Sequence, residues 1–227
     1  MAFSSKSMVS DIGVIFDWDG VIIDSSAAHE RSWEVLAAAE GLPLPADHFK
    51  KGFGMKNERI IPEILNWSQD PDTINRLGLE KERLYREVLK QTGIQALPGV
   101  EVFLARLEAE GVPYAVGSST SRENIDTVLG LLGWGSRFTR IVSAADVSRG
   151  KPDPEVFLKA AALLGVAPER CVVFEDAFVG LVAARAGKMK AIAVATTHSP
   201  EKLRMLADEV VCTLDELTVP NLKRLVG

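Results

Sequence analysis

Gly13-Val14-Ile15-Phe16-Asp17-Trp18-Asp19-Gly20 is the stretch that decides the fold. Its first half is a short unbroken apolar run, the pattern of a strand buried on both faces. Two carboxylates and a glycine that permits a turn follow at once. Similar apolar runs recur at residues 112–118, 140–144, 171–174, 191–195 and 209–212. Most are separated by stretches with helical spacing: 101–110, 122–132, 155–164 and 178–186. In the first of these Val102, Leu104, Ala105 and Leu107 form the expected inner stripe. Strand–helix alternation predicts an α/β fold, a doubly wound parallel sheet covered by helices on both faces.

Residues 27–97 break that rhythm. They hold helical runs at 29–40, 57–65 and 72–92 and no good strand. Pro62 is expected to kink or restart the second run. About seventy residues are too many for an ordinary connection, so the segment reads as an inserted helical domain. The core is then 11–26 with 98–227.

The chain has 227 residues, a net charge of −5, 47% apolar and 25% charged residues, enough for one sizeable core or a core with a smaller inserted domain. With no Lys/Arg-rich run, nucleic acid is not an expected partner. With no apolar stretch of spanning length, neither is a membrane. Cys171 and Cys212 sit in apolar runs and are expected as two buried thiols in a reducing compartment, with the cytoplasm the default. A monomer is expected. Residues 1–10 read as a disordered lead.

Polar groups cluster where an open parallel sheet binds ligands, at the carboxyl ends of its strands. Asp17 and Asp19 would repel each other unless a cation or proton joined them, and a hard cation with oxygen ligands, Mg2+, suits the pair. Ser118-Ser119-Thr120-Ser121 offers hydroxyls and N–H groups to a phosphate, or simply an N-cap to the helix that follows. Lys151-Pro152-Asp153-Pro154 holds a lysine on a stiff turn. Glu175-Asp176 closes another strand with acids. Each motif alone is equally a solvated loop.

Taken in order, Phe16-Asp17-Trp18-Asp19-Gly20-Val21-Ile22-Ile23-Asp24-Ser25, Ser118, Lys151-Pro152-Asp153-Pro154 and Phe174-Glu175-Asp176 resemble the haloacid dehalogenase superfamily, from Asp11 onward. The insertion is similar to the helical cap of the subgroup with β-phosphoglucomutase and many sugar-phosphate phosphatases. The resemblance implies that Asp17 is the nucleophile and forms an aspartyl-phosphate. It makes Asp19 the general acid and base, with its carbonyl on magnesium. Ser118 and Lys151 would hold the phosphoryl oxygens, and Glu175 and Asp176 would complete the Mg2+ site. Departures are small: Trp18 reads as packing, Ala177 lacks the hydroxyl the subgroup often has there, and one extra residue falls near Gly187-Lys188-Met189-Lys190.

The implied substrate is a small phosphate ester, contacted by Ser119, by His29 on the first cap helix, and by Lys56 and Asn57 in the loop Gly52-Phe53-Gly54-Met55-Lys56-Asn57. Gly54-Met55-Lys56-Asn57-Glu58 and Trp67-Ser68-Gln69-Asp70-Pro71 are similar to a plant chloroplast branch linked to phosphatases of the riboflavin pathway, which adds a ribityl phosphate to the candidates. Trp33 is expected in the core. Gly130-Leu131-Leu132-Gly133-Trp134-Gly135 reads as a helix end, not a nucleotide loop. The charges of Glu80-Lys81-Glu82-Arg83 and Arg86-Glu87 read as a solvated helix face. The expected reaction is phosphomonoester hydrolysis. The rivals are a β-phosphoglucomutase-like phosphomutase, less favoured because Arg122 stands where that mutase has a lysine, and an inactive binding protein.

Overall fold

The computed structural model describes residues 11–52 and 55–227. The six apolar runs become β1 (Gly13–Phe16), β2 (Tyr114–Gly117), β3 (Ile141–Val142), β4 (Cys171–Glu175), β5 (Lys190–Val194) and β6 (Glu209–Val211). They form one sheet in the order β3-β2-β1-β4-β5-β6, with every neighbouring pair parallel. The chain therefore winds outward from β1 through β2 to β3, returns to place β4 on the other side of β1, and winds outward again. This reversal is the switch point at which open parallel sheets open a crevice beyond their carboxyl ends. β1 and β4 flank it.

The helices are α1 (Ser26–Glu40), α2 (His48–Gly52), α3 (Asn57–Arg59), α4 (Pro71–Thr92), α5 (Val100–Ala109), α6 (Arg122–Leu132), α7 (Glu155–Leu164), α8 (Phe178–Ala186), α9 (Pro200–Leu203) and α10 (Val219–Val226). The chain divides into two compact units. One carries the sheet and runs up to Ile23, then through Ala96–Ile125 and Trp134–Gly227; the other is Asp24–Gln95 with Asp126–Gly133.

In the sheet unit, Ile15 and Val173 are covered by Phe157, Ala160 and Ala161 of α7 and by Leu181 and Ala184 of α8. Phe16 and Phe174 point the other way, against Phe103 of α5 at centroid distances of 6.2 and 5.2 Å. Each such fully buried side chain contributes about 1.5–3 kcal/mol. Trp18 is buried edge-on against Phe138, so its size is used in packing.

In the helical unit, Trp33 and Leu36 of α1 pack with Leu77 and Leu84 of α4 and with Ile60 and Ile61. Asp70 caps α4, accepting the Thr73 N–H at 2.9 Å, and Pro71 opens it. Around Pro62, which has no N–H to return, Ile60–Ile64 widens into a π turn in which the Leu65 N–H reaches the Ile60 carbonyl.

Several expectations need correction. The strand expected at 112–118 is shorter because the Val112 N–H closes α5 on the Leu107 carbonyl and Pro113 has no donor. The one expected at 140–144 stops at Val142 because the Ser143 N–H turns to the Asp146 carboxylate. The one expected at 209–212 ends at Val211 because the Cys212 N–H bonds Glu216. Cys212, just past the end of this edge strand, is exposed, not buried; Cys171 is buried, which pushes its thiol up to about 11. On α5 the inner stripe is Val100, Phe103, Leu104 and Leu107, while Val102 and Ala105 face solvent. The helices α2, α9 and α10 lie outside every expected run. The lead at 1–10 falls outside the described residues.

Candidate active site

The loop after β1 brings Asp17 to the switch point. Its N–H still extends the ladder, donating to the Phe174 carbonyl at 2.9 Å, which holds it beside the end of β4. Beyond it the chain folds back, with the Ile22 N–H on the Trp18 carbonyl at 2.9 Å and the Gly20 N–H on the Ile23 carbonyl at 2.8 Å. Gly20 has a left-handed φ of 76°, and a Cβ there would sit 2.1 Å from Asp176 Oδ2. Only a glycine allows the two loops this close.

Side-chain oxygens of Asp17, Glu175 and Asp176 lie within 4.8 Å of one another, all buried. Lys151 Nζ stands among them, 2.9 Å from Asp17 Oδ1 and 2.7 Å from Glu175 Oε1, and lies over the Phe157 ring at 4.7 Å. The second Glu175 oxygen accepts the Ala177 N–H at 2.6 Å. Gly180 leaves room for that carboxylate, since a Cβ there would collide with it. Burial by itself would lower the Lys151 pKa, but Asp17 and Glu175 outweigh it and hold the ammonium above its usual value. Burial above all, opposed by Lys151 and reinforced by Asp17 and Asp176, pushes Glu175 up to about 8. Burial and the Asp17 charge push Asp176 up to about 6. Carboxyls driven upward this way share too much negative charge for one ammonium, and a cation relieves it.

The residues fit a divalent metal. The donors are all carboxylate oxygens, the set a hard cation prefers. The Lys151–Asp17 approach is an ion pair without hydrogen-bond geometry, so the buried Asp17 Oδ1 has no hydrogen-bond donor among the described residues. Asp17, Glu175 and Asp176 come together as expected of metal ligands. The Asp19 side chain is not among them; its Oδ2 accepts the Thr120 hydroxyl.

The hydroxyl cluster after β2 divides its work. Ser121 caps α6, its oxygen 3.4 Å from the Asn124 N–H. Thr120 donates to Asp19. Ser118 is buried on the crevice side of β2, its N–H on the Val142 carbonyl and its Oγ accepting the Thr120 N–H at 3.2 Å. Ser119 is exposed.

The remaining expected residues belong to the helical unit. His29 stacks on Tyr85, with centroids 3.9 Å apart, and its Nδ1 lies 2.7 Å from Lys81 Nζ. Asn57 turns its amide onto Glu82 at 2.7 Å. Lys56 is exposed; Phe53 and Gly54 of its loop lie outside the described residues. Lys81 corrects the solvated-face reading, being 3% exposed and 3.0 Å from Glu82, while Arg83 does pair with Glu80 on the surface. Its place between Leu77 and Leu84 on the apolar stripe was the available signal. Thr197 and Gly180 were also missed, as was the pairing of Thr120 with Asp19, because nothing in the local sequence names a distant partner.

Residues 13–188 match the family model described as haloacid dehalogenase-like hydrolase. The chain is 40% identical over 217 residues to the chloroplastic 5-amino-6-(5-phospho-D-ribitylamino)uracil phosphatase of Arabidopsis thaliana, covering 94% of this chain and 57% of that relative. It is 34% identical to a fructose-1-phosphate phosphatase of Escherichia coli, covering 80% of this chain and 95% of the other. Among solved structures, a haloacid dehalogenase hydrolase of family IA, variant 3, from Entamoeba histolytica superposes with a TM-score of 0.86 at 27% identity, covering 95% and 99% of the two chains. Among the described residues no helix is long and apolar enough to cross a membrane.

Proposed function

Because the chain belongs to the haloacid dehalogenase-like hydrolases, we propose that it hydrolyses a small phosphomonoester through an aspartyl-phosphate on Asp17. The observation that carries this reading is the geometry at the switch point, where Lys151 lies 2.9 Å from Asp17 Oδ1 beside two further buried carboxylates.

A carboxylate approaching an anionic phosphate is repelled, and the fixed ammonium of Lys151 offsets that repulsion. Asp17 attacks phosphorus; the P–O bond to the alcohol breaks as Asp19 gives its proton to the leaving oxygen. Asp19 then takes a proton from the water that opens the acyl phosphate, returning Asp17 and releasing inorganic phosphate. Thr120 holds the Asp19 carboxylate in one orientation between these steps. Ser118 holds a phosphoryl oxygen. Asp17, Glu175, Asp176 and the Asp19 carbonyl would hold Mg2+, which supplies charge stabilisation to the transferring phosphoryl group.

The substrate is a phosphorylated sugar or polyol, a ribityl phosphate among them, in line with the Arabidopsis and Escherichia coli relatives. In this reading the helical unit acts as the cap, and His29, Lys56, Asn57 and Ser119 contact the rest of the substrate.

The test is phosphate release from sugar, polyol, nucleotide and ribityl phosphates, with magnesium and with chelator, by wild type and Asp17→Asn. Wild type releases phosphate only with magnesium. The variant loses turnover by about 10⁴-fold or more while melting as a folded protein. Full activity in the variant removes Asp17 as nucleophile; isomer formation primed by a bisphosphate, without net release, turns the reading to a mutase.

A further inference from the structure

The turn after β5 reaches back to the site with three successive side chains. The Thr196 hydroxyl donates to the Gly20 carbonyl at 2.6 Å, on the loop that carries Asp17 and Asp19. The Thr197 hydroxyl donates to Asp176 Oδ2. The His198 ring stacks on Phe178, the first residue of α8, with centroids 4.3 Å apart. β5 pairs directly with β4, Ala193 opposite Glu175, so this turn leaves the sheet beside the acidic pair.

Asp176 is gripped by the Thr197 hydroxyl and by its side-chain contact with Glu175. Its neighbour Ala177 has no hydroxyl, and the Ala177 N–H goes to Glu175. Gly20 packs against the same Oδ2 that Thr197 holds. The hydroxyl fixes one oxygen of the carboxylate, and the tight approach of Gly20 leaves the group little room to turn. Groups that grip a ligand from behind fix its rotamer and tune its affinity.

From this we infer that Thr197 is a positioning residue for the cation site, acting through Asp176, with Thr196 and His198 anchoring the turn that presents it. The inference rests on the metal-dependent reading above. It concerns how the chain is built toward the ion and leaves the reaction unchanged. The strand edge of β5 thereby joins β1, β2 and β4 in the site.

The test compares wild type, Thr197→Val and Thr197→Ser as full chains. Each is freed of metal with chelator and melted across a series of MgCl2 concentrations, with phosphate release followed in parallel. The valine keeps the shape and removes the donor. Its half-maximal magnesium concentration for the thermal shift rises about tenfold or more. The serine variant stays close to wild type, and the KM for substrate at saturating magnesium is unchanged. A purely structural role would lower the metal-free melting temperature of the valine variant and leave its magnesium midpoint in place, which overturns the inference. Failure of serine to restore the midpoint overturns it as well. A wild type whose melting ignores magnesium overturns the metal reading itself, and this inference with it; a responding wild type with an equally responding valine variant overturns this inference alone.

Discussion

Each unit buries a lysine, and the two lysines keep different company. Lys151, in the sheet unit, stands between two buried carboxylates with a third close by. Lys81, in the helical unit, meets the Nδ1 of His29, the Glu82 carboxylate, which is 22% exposed, and the faces of Trp33 and Tyr85, each 5.5 Å away. Around Lys151 the acids dominate, and burial with their neighbours' charge drives Glu175 and Asp176 up. Around Lys81 the cation dominates, and His29 gives way: burial and then the Lys81 charge lower it to about 3, so the imidazole stays neutral. One arrangement waits for more positive charge; the other has enough and excludes a proton.

The largest effect expected from this contrast comes from replacing each lysine by methionine. Lys151→Met leaves Asp17 and Glu175 facing each other without their counter-charge. Breaking a buried ion network in this way costs about 3–5 kcal/mol, and turnover falls by about 10²–10³-fold through loss of a fixed charge at the reacting group. In Lys81→Met two of the partners left behind are a neutral ring and a carboxylate that still reaches water, so the cost is smaller, about 1 kcal/mol. Urea unfolding of the two variants measures the difference. Equal losses would mean that both lysines are held mainly by packing.

The second effect is a pair of opposing pH slopes in the metal-free protein. Asp176 moves from an ordinary 3.8 to about 6 in the folded chain, and Glu175 from 4.5 to about 8. Between those limits the folded state binds protons that the unfolded state has released, so stability falls as pH rises from about 4 to 8. Magnesium, which needs the deprotonated acids, should reverse this fall at the upper end. His29 acts in the other direction. Its value drops from 6.5 to about 3, so the unfolded chain binds the extra proton, and stability rises with pH until about 6.5. Melting midpoints of Asp176→Asn and His29→Asn across pH 4–8, in chelator, separate the two. The first variant should flatten the fall and the second the rise; an unchanged profile in either removes that group from the balance.

The same contrast explains how far the sequence could be read. The sheet site was legible because its residues follow apolar runs directly: Asp17 after β1, Ser118 after β2, Glu175 as the last residue of β4. A strand end fixes where a side chain emerges, whatever the rest of the chain does. Lys151 was legible from its proline turn. Thr197 was not, since its partner Asp176 lies twenty-one positions away and only strand order brings them together. In the helical unit a helix hides such residues. Lys81 stands in a run of charges that looks solvated, and only its register with Leu77, Leu84 and Val88 marks it as inward. The α5 stripe was misplaced for a related reason: Val102 and Ala105 are apolar, yet the 3- and 4-residue steps that bury Phe103 turn them outward.

The smallest effect is also the most direct reading of the Lys81 environment. Burial is the first cause of the low His29 value and the Lys81 charge the second, with Glu82 pulling the other way. Lys81→Met removes only the second. The imidazole stays stacked on Tyr85 and shielded, so its pKa should rise above 3 yet stop short of 6.5. The His29 ring resonances, followed by NMR from pH 3 to 8, give the value in both proteins. A full return to 6.5 would mean that charge, not burial, keeps this ring neutral. No movement would mean that the 2.7 Å approach of Lys81 Nζ is a hydrogen bond from a lysine already stripped of its charge, and the two buried lysines would then differ in protonation as well as in company.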